Sequence, residues 1–357
     1  MLGAVYGPRR TPETAAKLGS APQSHASSGK ERKTLPPRFS VVIPVHDKAR
    51  HVAAAVGSAL AQSFPPHEII LIDDASTDGS AEILARLNDP RLVRLHRATP
   101  GPGGYAARNL GIERAGGDWI AFLDADDLWD EDHLAGLAGA IGRHPEAGCA
   151  ATRYAHVYAD RRKPSRTSRR LAAAAERPAP FAEFLRIWLE LGECPVWTGA
   201  GAFRRQVLLE AGLFPAGLAR RGGDKDLWLR AAALAPFIHV PCVSAEFNRD
   251  SDNKVSKATA TTQLPIVVRS AQALMGTATP EERRLLRRLV NQQIGLYARF
   301  AFRSGGISPE LRSNLHMPEG WNIWLMVMFI EAIPNGLRRR IYDFVRPHRA
   351  GALAASP

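Results

Sequence analysis

Four short apolar segments lie in the first third of the chain, and residues with helical spacing separate them. Short β-branched and apolar runs of this kind are typical of buried strands. Val52, Val56 and Leu60 illustrate the helical spacing between the first two. Strands that alternate with helices predict right-handed crossovers and a mostly parallel sheet with helices on both faces, which is an α/β fold. The apolar segments are 39–45, 68–73, 92–96 and 119–123.

Aspartates follow these predicted strands directly. In a parallel sheet the carboxyl ends of neighbouring strands meet at one edge, and ligands bind there. We therefore expect one crevice to gather at least five carboxylates from this set. Its members are Asp47, Asp73, Asp74, Asp124, Asp126 and Asp127.

The strongest chemical indication is Asp124-Ala125-Asp126, which follows the predicted strand 119–123. Two carboxylates two residues apart at the end of a strand can converge on one hard cation. Mg²⁺ or Mn²⁺ takes carboxylate oxygens and keeps coordination places for phosphate. A capped turn is the alternative interpretation, because Asp-x-Asp is a common pattern.

Four ordered motifs resemble those of family 2 glycosyltransferases, densely over 39–130 and more loosely over 195–250. The resemblance implies a GT-A fold, a nucleotide-diphosphate sugar donor, a divalent metal, and transfer with inversion at the anomeric carbon. The motifs are Val42-Ile43-Pro44-Val45-His46-Asp47, the segment from Glu68 to Ser80, Ala107-Arg108-Asn109-Leu110-Gly111, and Phe122-Leu123-Asp124-Ala125-Asp126-Asp127.

The resemblance assigns donor-binding roles to residues of the first two motifs. Pro44, Val45 and Asp47 would line the nucleobase and ribose pocket. Either Asp73 or Asp74 would contact the base, and the motif does not distinguish them. A helix cap is the alternative role for Asp47.

The third and fourth motifs would hold the rest of the donor. Arg108 would lie near the base or the diphosphate, although a pair with a nearby carboxylate is the alternative. Asp124 and Ala125 would lie near the ribose, with Asp124 also near the metal. Asp126 would bind the Mg²⁺ or Mn²⁺ ion that bridges both phosphates. A cation at this point stabilises the charge that develops on a diphosphate leaving group.

The catalytic base is expected downstream, because inverting transfer needs a carboxylate to take the proton of the acceptor hydroxyl. The family opens a helix with an acidic pair followed by Asp, Trp and Arg, and 223–230 has this pattern. Asp224 stands at the position of the base, and Gly223 replaces the usual Glu. The helix dipole favours an ionised carboxylate there. A helix N-cap is the alternative role for Asp224 or Asp226.

Trp197-Thr198-Gly199 opens a segment that resembles the acceptor-facing part of the family. Trp197 would stack on a sugar ring, and the small residues after it would leave room for the acceptor. Ordinary core packing is the alternative role for Trp197.

The net charge of +12 is unevenly distributed along the chain. Basic residues concentrate in 1–38, in 161–170 and in 335–357. This distribution favours an anionic partner or membrane surface over sequence-specific nucleic-acid recognition. We predict a flexible basic tail over 1–38, a catalytic domain over 39–260 and a helical region over 261–357.

Several further expectations concern the second half of the chain. The basic run 161–170 is predicted to be an exposed loop. Trp321 to Ile330, followed by Arg338-Arg339-Arg340, is typical of an interfacial membrane element, and a helix packed on the catalytic domain is the alternative. The apolar run from Ile323 to Ile330 is too short to span a bilayer. Three widely spaced cysteines favour a reducing cytoplasm, so we expect a cytoplasmic protein that lies peripherally at the inner face of the plasma membrane.

The sequence thus predicts an inverting glycosyltransferase that uses a nucleotide-diphosphate sugar, with UDP expected, in cell-surface or extracellular polysaccharide assembly. The acceptor would be a saccharide or a lipid-linked saccharide. A nucleotidyltransferase is one alternative, but such enzymes usually open with a Gly-rich basic loop after the first strand. A non-catalytic nucleotide-sugar-binding protein is another, but it would not need Asp224.

Overall fold

The computed structural model describes residues 35–251, 264–304, 309–334, 337, 338 and 340. The predicted tail, apart from 35–38, and the segment 341–357 lie outside the described residues. The strands are β1 (Phe39–Val45), β2 (Glu68–Asp74), β3 (Leu92–Arg97), β4 (Trp119–Phe122), β5 (Leu128–Trp129), β6 (Cys149–Tyr158), β7 (Arg161–Pro164), β8 (Pro178–Ala179), β9 (Gly201–Arg204) and β10 (Phe237–Asn248). The helices are α1 (Val52–Leu60), α2 (Ser80–Arg86), α3 (Tyr105–Arg114), α4 (His133–Arg143), α5 (Arg166–Arg170), α6 (Phe181–Leu191), α7 (Arg205–Glu210), α8 (Gly223–Leu234), α9 (Ile266–Leu274), α10 (Pro280–Ser304), α11 (Pro309–Ser313) and α12 (Trp321–Ala332).

The described strands form one sheet in the order β3-β2-β1-β4-β9-β6-β10-β5, with β7 on β6 and β8 on β10. Strands β3, β2, β1 and β4 are parallel to one another. The longest ladder, between β6 and β10, is also parallel, whereas β9 is antiparallel to both β4 and β6. The predicted α/β fold with a mostly parallel sheet is confirmed.

The central strands are buried on both faces because helices cover each side. Alternate residues of β1 enter different cores, with Val42 on one face and Val41 and Ile43 on the other. Helices α1, α2 and α4 cover the Val41 side, and α3, α6, α8, α9 and α10 cover the Val42 side. This burial explains why these strands are continuously apolar rather than alternating. It also means that the C-terminal helices α9 and α10 share a core with the sheet.

The basic segment after Tyr158 corrects a prediction. We expected an exposed loop, but Arg161–Pro164 forms β7, which pairs antiparallel with β6. The backbone is paired while the four side chains remain exposed, so the charges are solvated without preventing a strand. Helix α5 follows, and the Ser165 hydroxyl caps it by accepting a hydrogen bond from the Ser168 N–H at 2.9 Å.

Among the longer elements, α4 and β10 had no counterpart in the sequence analysis. Apolar residues of α4 recur at helical spacing, as Leu134, Leu137 and Ile141 do. In β10 a proline at 241 argues against a strand, because proline cannot donate to a ladder. The pairing of β10 with β6 accommodates it through a register shift between Val240 and Val243.

The described parts of the predicted helical region 261–357 contain helices α9 to α12. Within the part of the chain that the structure describes, no helix is long and apolar enough to cross a membrane.

Candidate functional site

A cavity of about 530 Å³ opens at the carboxyl ends of β1 and β4. The loop after β4 and the start of α8 form two walls, and α9 and α10 contribute Ile266, Val267, Leu296 and Tyr297 to a third. The structure brings most of the predicted site residues to this cavity. They are Pro44, Val45, Asp74, Arg108, Asp124, Ala125, Asp126, Trp197, Thr198 and Asp224.

Three predicted residues do not line the cavity. Asp47 has a positive φ of 51° and accepts a hydrogen bond from the Thr77 N–H at 2.8 Å. Since α1 begins five residues later and His51 precedes it, Asp47 does not cap that helix. Asp73 accepts a hydrogen bond from the Ser76 N–H at 3.1 Å. These two carboxylates hold the β1–α1 and β2–α2 loops, and donor binding by either stays a prediction.

Gly199 is the third predicted residue that does not line the cavity, and it lies against the Trp197 ring. A Cβ at this position would fall 2.5 Å from the Trp197 ring. Trp197 itself stacks on Phe247 at 5.1 Å and contacts Tyr154 at 4.7 Å, yet it also lines the cavity. The two interpretations of Trp197 are therefore compatible, because one face is packed while the side chain still borders the cavity.

Asp124 and Arg108 form an ion pair on the wall of the cavity. The Arg108 guanidinium also donates to the Gly103 carbonyl at 2.9 Å. Burial is the largest single effect and would lower the pKa of Arg108. The charge of Asp124 and its hydrogen bond, together with the nearby Tyr105 and Asp224, nevertheless raise this pKa. Arg108 thus pairs with a carboxylate, which was the alternative, and still presents a permanent positive charge beside the cavity.

Asp126 is bound by two side chains that the sequence analysis did not identify. The Lys48 Nζ donates to its Oδ2 at 2.9 Å, and the Ser251 hydroxyl donates to the same oxygen. Lys48 follows directly after the first family motif, but its own sequence position gives no hint of contact with a residue 78 positions away. Lys48 places a positive charge where a cation would meet Asp126.

Two carboxylates of the cavity are candidates to hold a metal ion. Asp124 and Asp126 line the same cavity, and oxygen ligands suit Mg²⁺ or Mn²⁺. Among the described residues no group of three or more His, Cys, Asp or Glu side chains is arranged for a metal. The residues therefore fit a cation whose remaining ligands come from a bound phosphate or water, and not a fully protein-enclosed ion.

The two aspartates at the start of α8 have different environments. Asp224 lines the cavity, and its carboxylate has no hydrogen-bond or ion-pair partner among the described residues. Asp226 is fully buried and pairs with Arg230 at 2.7 Å. Arg230 also donates to the Leu213 carbonyl at 2.8 Å and to the Ala211 carbonyl. The cap position belongs to Gly222, so neither aspartate is the N-cap.

Tyr105 occupies the space beside Gly223, where the family usually has Glu. The Gly223 N–H donates to the Tyr105 hydroxyl at 2.9 Å. A Cβ on Gly223 would lie 2.7 Å from the Tyr105 ring and 2.8 Å from Pro215. Burial, together with the negative charge of Asp224, raises the pKa of Tyr105. Gly223 stands where the family usually has Glu, and the neutral Tyr105 phenol holds this start of α8 through the hydrogen bond from the Gly223 N–H.

We expect Gly223→Ala to lower the free energy of unfolding by about 1–3 kcal/mol, because overpacking forces neighbouring atoms apart. The displaced helix start would also lower turnover. Gly142→Ala is the matched control, since a Cβ there meets nothing within 4 Å. Urea unfolding of both variants measures the difference, and equal stability of the two would contradict the tight contact with Tyr105.

The rim of the cavity is rich in cations that the sequence analysis did not select. Arginine and lysine from the loop before α8, from α8 and from the end of β10 line it beside Lys48 and Arg108. With this many cations next to the carboxylates, the cavity suits a ligand that carries several negative charges. The additional cations are Arg220, Arg221, Lys225 and Arg249.

The fold matches that of S. aureus TarS, a solved structure in complex with UDP-GlcNAc. The TM-score is 0.65 at 16% identity, and the match covers 87% of this chain and 92% of that one. The protein therefore has the GT-A glycosyltransferase fold predicted from its motifs. Residues 40–212 match the model of glycosyl transferase family 2.

Curated relatives share a shorter N-terminal segment. Succinoglycan biosynthesis protein ExoO of Rhizobium meliloti is 41% identical over 100 residues, which is 28% of each chain. A PGL/p-HBAD biosynthesis glycosyltransferase of Mycobacterium bovis is 38% identical over 112 residues, 30% of this chain and 43% of its own. The matched segment spans less than half the length of these relatives.

Proposed function

We propose that this protein is an inverting glycosyltransferase that transfers a sugar from a nucleotide-diphosphate sugar, with UDP as the expected nucleotide. The acceptor would be a hydroxyl of a saccharide or lipid-linked saccharide, in the assembly of a cell-surface or extracellular polysaccharide. The observation that carries the proposal is one cavity in a GT-A fold that is lined by Asp124, Asp126 and Asp224. ExoO, whose name refers to succinoglycan biosynthesis, supports the polysaccharide class.

The diphosphate would bind among the cations of the cavity. Lys48 and Arg108 lie beside Asp126 and Asp124, where their charges offset those of the two phosphates. Asp124 and Asp126 would hold a Mg²⁺ or Mn²⁺ ion, which supplies positive charge that stabilises the diphosphate leaving group. When a phosphate enters, Lys48 can exchange its bond to Asp126 for one to a phosphate oxygen.

Asp224 would act as the general base. The acceptor oxygen attacks the anomeric carbon from the face opposite the diphosphate, and the new bond forms as the old C–O bond breaks. The bonding electrons leave with the diphosphate oxygen, and the acceptor proton moves to the Asp224 carboxylate. Trp197 would hold the acceptor ring by stacking, which orients the attacking hydroxyl.

Calorimetric titration of UDP, GDP and TDP, with and without Mn²⁺, tests the donor site. We expect metal-dependent binding of one nucleotide, weakened by about 10- to 100-fold in Asp126→Ala because a charged contact to the metal is lost. Asp160→Ala is the matched control, because Asp160 pairs with Arg161 on the exposed surface and does not line the cavity.

Two outcomes would count against this function. Absence of nucleotide binding by folded protein under every metal condition would reject the donor site. Binding of a nucleoside triphosphate with release of pyrophosphate would instead indicate a nucleotidyltransferase.

A further inference from the structure

Helix α12 presents an apolar stripe to solvent. Trp321 and Phe329 are 59% and 66% exposed, and Trp324 and Leu325 between them are 38% and 49% exposed. Their spacing places them along one side of the helix. Single exposed apolar residues are ordinary, but a contiguous stripe with two tryptophans indicates a binding surface.

The opposite side of α12 explains how the helix is held. Val327 and Ile330 are buried against Ala298 of α10. Ile323 lies against Gly295 of α10. A Cβ added at Gly295 would lie 3.5 Å from the Ile323 side chain. The helix is thus anchored by one side, and the exposed stripe is not needed for that contact.

Charge around α12 favours an anionic partner. The only charged residue of the helix, Glu331, pairs with Arg312 at 3.1 Å. The sequence continues into Arg338-Arg339-Arg340, of which Arg340 is exposed. Tryptophan and phenylalanine beside a basic cluster are typical of helices that lie in the interface of a membrane.

Helix α10 links this surface to the cavity. Leu296 and Tyr297 line the cavity, whereas their neighbours Gly295 and Ala298 contact α12. The exposed stripe lies on the side of α12 that faces away from α10, so both helices stand between the stripe and the cavity.

We propose that the exposed face of α12, defined by Trp321, Trp324, Leu325 and Phe329, docks on an anionic lipid bilayer. The helix has 12 residues and measures about 18 Å, so it lies in the interface and does not span the roughly 30 Å hydrocarbon core. Aromatic side chains enter the headgroup boundary while the exposed Arg340 meets lipid phosphates. Arg338 is buried and donates instead to the Ile333 carbonyl at 2.6 Å.

Sedimentation of the full chain with vesicles of phosphatidylcholine and phosphatidylglycerol tests the proposal. We expect the chain to pellet with anionic vesicles, and the variant carrying Trp321→Ser, Trp324→Ser and Phe329→Ser to bind at least about tenfold more weakly. Leu35→Ser is the matched control, because Leu35 is an exposed apolar residue outside the stripe. Raising the ionic strength well above about 0.1 M should weaken binding without abolishing it.

A second measurement reports lipid contact of the wild-type chain directly. Lipids brominated in their acyl chains should quench tryptophan emission of the wild-type chain and quench it less in the triple variant. Absence of pelleting and quenching with anionic vesicles would overturn the proposal, as would equal binding by wild type and triple variant. A wild-type dimer that the triple variant converts to a monomer would also overturn it, by assigning the stripe to a second copy. Nucleotide binding, measured separately, distinguishes failure here from failure of the proposed function.

Discussion

Asp224→Asn is expected to lower kcat by about 10²- to 10⁴-fold, the range that general-base catalysis contributes. The amide keeps the shape of the carboxylate but cannot accept the proton of the acceptor hydroxyl. Asp224 makes no hydrogen bond or ion pair to the described residues, so the free energy of unfolding should change by less than about 0.5 kcal/mol. Donor affinity should also stay near the wild-type value, because the base contacts the acceptor side.

The measurement is nucleotide release from the nucleotide sugar that binds in calorimetry, with a supplied acceptor or with water. Thermal unfolding of the same protein shows whether the fold is intact. A variant that retains more than about a tenth of wild-type turnover would exclude Asp224 as the base. Absence of turnover by folded wild-type protein that binds the nucleotide sugar would indicate a non-catalytic binding protein.

Asp226→Ala is expected to lower the free energy of unfolding by about 3–5 kcal/mol. Its partner Arg230 is buried and would be left with an uncompensated charge. Arg230 also donates to carbonyls of the segment between α7 and α8, so the loss extends to the loop before the candidate base. Urea unfolding monitored by tryptophan fluorescence measures the change.

The double variant Asp226→Leu with Arg230→Met serves as the control. It removes both charges together, and replacement of a buried pair by apolar residues is often close to neutral. We therefore expect it to be more stable than the single variant. A single variant as stable as wild type would contradict a structural role for this pair.

Much of the N-terminal half was predictable because local patterns specify it. The strands and helices from Phe39 to Phe122 lie within a residue or two of the predicted bounds. Buried strands need short apolar runs, and ligand-binding loops follow their carboxyl ends, so both leave a local record in the sequence. Farther along the chain, strand β10 was not predicted because it contains Pro241. Strand β7 was not predicted because its charged residues Arg161 and Arg162 are typical of a loop.

Some functional side chains were also predictable from local sequence patterns, whereas others depend on contacts between distant residues. The pattern around Asp124 and Asp126 identified one wall of the cavity from neighbouring residues alone. The pairing of Lys48 with Asp126 and the contact of Tyr105 with Gly223 join residues 78 and 118 positions apart. No periodicity records contacts of that separation, because they depend on how loops at the sheet edge meet.

The amino-acid sequence alone was enough to show the family resemblance, the alternation of strands and helices in the N-terminal part, and Asp224 as candidate base. Packing in three dimensions was needed to separate Asp224 from Asp226, since both stand in the first turn of α8 and only burial distinguishes them. Packing also brings α9 and α10 to the cavity. Their apolar faces follow from helical periodicity, but the surface that they cover depends on the complete hydrophobic core.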